Sequence, residues 1–145
     1  MANKDATQRV LVLITAQETA AKLLDYGFSL AKINQAELHA LHIQKDGNVF
    51  QNNSSLQKLQ SVINHGAKLG ASIHLECQND IAGCIGGFVR KEGITHVVLG
   101  DSAKGEAQKK YNEKNHILDS LPGSVSVYVF SQTEQAPKDM EYLIG

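Results

Sequence analysis

The chain has 145 residues, of which 42% are hydrophobic and 20% charged, and a formal net charge of −1. That length and balance describe one ordinary globular domain with a sizeable core. The near-neutral charge excludes the basic field that a nucleic acid or an anionic membrane surface would require. No apolar run approaches the ~20 residues of a membrane span, and Met1 to Gln8 lack the apolar core of a signal peptide. A cytoplasmic protein is expected. Cys77 and Cys84 form neither a CxxC pair nor half of a zinc ribbon, so both are expected to be reduced thiols.

Residues 1–8 read as a flexible N-terminus, residues 9–131 as one domain and residues 132–145 as a loose tail holding proline and charges. Arg9 to Thr15 is a continuous β-branched apolar run, the signature of a strand buried on both faces of a parallel sheet. Gln17 to Ile33 follows as an amphipathic helix, with Leu23, Leu24, Gly27, Phe28, Leu30 and Ala31 on its apolar stripe and Thr15 as its cap. Glu37 to Gln44 is the second strand, and Lys45 to Asn53 a polar loop. Ser54 or Ser55 begins a second helix that Gly70 ends, with Leu56, Leu59, Val62, Ile63, Ala67 and Leu69 on its apolar stripe. Ser72 to Cys77 alternates as a shorter strand nearer an edge. Asn79 or Asp80 caps a third helix ending at Glu92-Gly93, and close packing on the sheet is the expected reason for Gly86-Gly87 within it.

Ile94 to Leu99 is the fourth strand, running into the small polar turn Gly100-Asp101-Ser102-Ala103-Lys104-Gly105. A fourth helix is expected at about Glu113 to Leu121, and Ser124 to Phe130 alternates strictly as the last strand. Five strands alternating with four helices give one parallel sheet covered by helices on both faces, a single three-layer α/β domain.

In such a sheet a ligand sits at the carboxyl ends of the strands. Gly100, Asp101, Ser102, Lys104 and Gly105 lie beyond the fourth strand, with Thr15 at the end of the first and His42 near the end of the second. Ser102 would donate to a phosphate and Lys104 would neutralise one; a solvated turn with Asp101 bonded to backbone is the plainer alternative. No set of residues reads as catalytic. The six histidines are scattered, and His39 and His42, three apart on one strand, face opposite sides of the sheet and form no chelating pair.

This order of elements, together with the residues at the strand ends, resembles the universal stress protein family over residues 8–131. The resemblance implies strand order 3-2-1-4-5, the adenine nucleotide alpha hydrolase-like fold, and a homodimer built on the last strand through Val125, Val127 and Val129. ATP-binding members carry G-x2-G-x9-G-[S/T] after the fourth strand and an Asp at the end of the first. Here Gly100 takes the first glycine, Ala103 or Gly105 the second, Tyr111-Asn112-Glu113-Lys114-Asn115 stands where the final Gly-Ser belongs, and Thr15 replaces the Asp. The pattern implies a degenerate ATP-binding loop, since a Cβ obstructs close approach to phosphate and Glu113 repels it.

Within the family the nearest likeness is to the stress-protein-like domains of potassium-sensing histidine kinases, some of which read cyclic di-AMP through S-x-S, twenty residues, then F-T-A-x-Y. Thr15-Ala16-Gln17 and Leu38-His39-Ala40-Leu41-His42 stand at that spacing, with Ala40 identical. Implied ligands are ATP or AMP, or cyclic di-AMP touching Thr15, Gln17 and His42. The implied role is a non-catalytic module of stress response or signalling that binds a protein partner or a small ligand.

Overall fold

A computed structural model describes residues 7–14, 20–44, 53–100 and 119–130, with the backbone alone at residues 53–55. Five strands and three helices are described: β1 (Arg9–Leu13), α1 (Ala20–Asn34), β2 (Glu37–Gln44), α2 (Asn53–Lys68), β3 (Ser72–Cys77), α3 (Ile81–Glu92), β4 (His96–Gly100) and β5 (Ser126–Phe130). The strands form one parallel sheet in the order β3-β2-β1-β4-β5. The expected fourth helix lies mostly outside the described residues, and only Asp119 and Ser120 at its end are helical. Among the described residues no helix is long and apolar enough to cross a membrane.

Alternation along the strands divides the core between the two faces. Val10, Val12, Leu38, Ala40, Val98 and Phe130 pack with Leu23, Leu24, Tyr26 and Leu30 of α1 and Val62 of α2. Leu11, Leu41, Val97 and Leu99 pack on the other face with Ile85 and Val89 of α3. Central β1 is buried on both faces, as its unbroken apolar run requires, whereas edge strand β3 is largely exposed.

The helix ends follow their capping chemistry. The Asp80 carboxylate accepts from the backbone N–H of Gly83 at 3.0 Å and starts α3. Gly93 ends α3 in the left-handed conformation at φ 67°, and Gly70, at φ 85°, follows α2.

Close helix-on-sheet packing occurs at Gly27, where a Cβ would run into Cγ2 of Val12. Gly86 has another reason than the one expected: its would-be Cβ meets the backbone oxygen of Ser120 at 2.8 Å, so it admits the segment before β5 rather than the sheet. Gly87 faces open space. On α2 the buried side includes Gly66, and Ala67, expected on the stripe, is exposed. Tyr26, absent from the expected stripe of α1, is fully buried, stacks on Phe130 at 5.4 Å and meets Tyr128 edge-on at 6.4 Å. Its hydroxyl has no partner among the described residues, and burial pushes its pKa up to about 12.

Candidate functional site

The sheet order places the switch point between β1 and β4, where successive connections leave in opposite directions. Ile14 stands just past the end of β1, and Gly100 is the exposed last residue of β4. A Cβ on Gly100 would touch Leu23 at 3.6 Å, an ordinary contact, so packing does not demand a glycine there. Thr15, Gln17, Asp101, Ser102, Lys104 and Gly105 lie outside the described residues, as do the positions expected to hold the last part of the phosphate loop.

His42 is the predicted site residue that the structure describes most fully. It is buried near the end of β2, with Nδ1 3.0 Å from the carbonyl oxygen of Ile14 and Nε2 3.1 Å from Oε1 of Gln44. The first contact makes Nδ1 a donor, because a carbonyl only accepts. The ring thus fastens the end of β2 to the chain leaving β1; Nε2 of the neutral ring is then an acceptor, served by the Gln44 amide when its NH2 end is turned to the ring.

Beside it runs a groove of about 400 Å³ between the carboxyl ends of β2 and β3 and the first turns of α2. His42 and Gln44 form its floor, Leu56, Leu59 and Ile63 one wall, and Leu75 and Cys77 the other. The lining is mostly apolar, and Leu56 and Leu75 are exposed large hydrophobic residues. The sequence reading missed this groove. The signal was available in the alternation of β3, which turns Leu75 to the same face as His42, its partner in the register.

A second, polar cluster lies toward the amino ends of the strands. Glu37 Oε1 accepts from Nε of Arg9 at 2.9 Å and lies 3.1 Å from Nε2 of His39. His39 Nδ1 is in turn 3.1 Å from Nε2 of His74 on β3. Hydrogen bonds from His39 and then Arg9 hold the Glu37 carboxyl below its usual range. Burial, followed by the facing His39, lowers the pKa of His74. His39 and His42 do face opposite sides of the sheet, as expected; the pairing of His39 with His74 was not foreseen. Cys77 and Cys84 are free, the first exposed, and burial raises the Cys84 pKa. Among the described residues no group of three or more His, Cys, Asp or Glu is placed to hold a metal ion.

Solved structures share this architecture. A universal stress protein from Burkholderia pseudomallei superposes with a TM-score of 0.57 at 14% identity, over 86% of this chain and 96% of that one. UspA from Lactobacillus plantarum gives 0.60 at 16%, over 84% and 96%. A universal stress protein solved in complex with cAMP gives 0.63 at 9%, over 85% and 95%. The chain has the universal stress protein fold. At these identities the likeness is one of fold, and no family model and no curated protein matches the sequence.

Proposed function

We propose that this chain is a non-catalytic universal stress protein-like module that acts in stress response or signalling by binding a protein partner or a small ligand. The observation that carries this reading is the state of His42. The buried histidine at the carboxyl end of the sheet has both nitrogens committed to the fold, so it braces two strand ends and is not poised as a general base. The module acts as a homodimer through the last strand. In support, β5 is an edge of the described sheet and has an unpaired side. Sedimentation at micromolar concentration is expected to show two chains, and a monomer would contradict the dimer.

A second reading, a regulatory domain for ATP, AMP or cyclic di-AMP with an altered phosphate loop, is favoured by the apolar groove beside His42. The fold neighbour bound to cAMP adds to it. In this reading a nucleobase enters the groove, and the phosphates face Gly100 and the sequence Asp101 to Gly105 that follows it. Thermal shift against ATP, AMP and cyclic di-AMP separates the two. A nucleotide at a hundredfold its Kd stabilises a one-site protein by about 2.7 kcal/mol. A flat response to all three leaves the first reading. Stabilisation that is lost in Leu75→Glu and in Ser102→Glu establishes the second.

A further inference from the structure

Arg9, Glu37, His39 and His74 form an unbroken line of polar contacts across three adjacent strands, β1, β2 and β3. Its ends dictate where the protons lie. Glu37 only accepts, so His39 carries its proton on Nε2 and leaves Nδ1 as an acceptor; His74 must then donate from Nε2. The two rings are within 22° of coplanar, with centroids 5.3 Å apart. That separation is close to the sum of two ring radii and the 3.1 Å gap, so the two nitrogens face each other along one line. This alignment suits a shared proton. A chelated metal would need both lone pairs turned to a point off the line.

We propose that the line is a proton-operated latch on the edge strand: with both histidines neutral it ties β3 to β2, and with both protonated it must open. One added proton is tolerated by the pair, because one nitrogen at the 3.1 Å contact still donates while the other accepts. A second proton removes that acceptor and sets two imidazolium N–H groups edge to edge at hydrogen-bond distance.

The surrounding charges are mixed. Glu76 on β3 and Glu92 on α3 favour charge on His74, whereas burial and His39 oppose it and prevail. Arg9, Arg90 and Lys91 line the adjoining cavity of about 370 Å³ with Glu37, His39 and Glu92, and Phe88 meets His74 in a T-shaped contact at 4.8 Å. The latch matters at β3 because this strand is an edge of the described sheet and has little buried surface. The same strand supplies Leu75 and Cys77 to the wall of the groove. Acid sensed at one end of β3 is therefore transmitted to the groove at the other.

Hydrogen exchange between pH 7.5 and 5.0, expressed as protection factors, tests the proposal. Protection of the Ser72–Cys77 amides is expected to fall about tenfold relative to β1 and β4, since one proton bound only in the open state shifts opening about tenfold per pH unit. In His74→Gln, whose amide still donates but does not titrate, the relative fall should vanish. Parallel behaviour of β3 and the central strands in the parent chain, or an undiminished fall in His74→Gln, would overturn the latch. The ring signals of the unaltered chain give a second check that needs no variant. The His74 ring should titrate below the ordinary histidine range, and a midpoint at or above that range would overturn the proposal.

Discussion

Replacing Gly27 by alanine probes the closest approach of α1 to the sheet. The added methyl would run into Cγ2 of Val12. Val12 is fully buried, stiff about χ1, and fixed between Ala40 and Val98 on the neighbouring strands. Two effects of opposite sign compete. Alanine is favoured over glycine in a helix interior by about 1 kcal/mol, while overpacking a close-packed core costs about 1–3 kcal/mol. The net expectation is a loss of up to about 2 kcal/mol. Gly87→Ala isolates the first effect, because nothing lies within 4 Å of its would-be Cβ in the interior of α3. That variant should gain up to about 1 kcal/mol. Urea unfolding of both variants beside the parent chain yields the overpacking cost directly, as the difference between them. A gain at Gly27 equal to that at Gly87 would refute the seating of α1 on Val12.

Three further outcomes are expected. Tyr26→Phe removes a buried hydroxyl that has no described partner, so stability should hold or rise by up to about 1 kcal/mol in urea unfolding; a clear loss would show that the hydroxyl is bonded. Asp80→Ala should lower stability by about 1 kcal/mol in thermal melting through loss of the α3 cap, with Asp80→Asn retaining most of it. Stability should fall on acidification from pH 7.5. Burial holds His74 and His96 below the ordinary histidine value, so the unfolded chain binds more protons and the loss begins below about pH 6.5. Glu37, held low by His39 and Arg9, contributes above its unfolded value and extends the loss to lower pH. A urea midpoint that rises between pH 7.5 and 5.5 would reverse this sign.

The fold was legible because its signals are local. The alternation of Ser72 to Cys77 and the flanking turns of Glu37 to Gln44 set the limits of β2 and β3 residue for residue. Asp80, Gly70 and Gly93 marked helix ends by chemistry that needs only near neighbours. What escaped depends on partners far along the chain. Tyr26 has a hydroxyl that argues for a rim position, yet Phe130 and Tyr128, more than a hundred residues on, bury its ring. His39 and His74 meet only because the register sets His39 opposite Ser72, and a one-residue slip would turn His74 to the other face. Gly86 is explained by Ser120, not by its own helix. At the candidate site, the role of His42 as a strand brace required the position of the Ile14 carbonyl, which no spacing supplies.

The most direct test of a binding module with an altered phosphate loop is its nucleotide content. The chain, purified without added nucleotide and then denatured, releases its bound ligands for anion-exchange analysis. With Ala103 or a displaced Gly105 at the second glycine and no Gly-Ser before Glu113, the account predicts far less than one ATP per chain and no ADP formed when ATP is supplied beforehand. One ATP per chain, or its conversion to ADP by the intact protein, would contradict it.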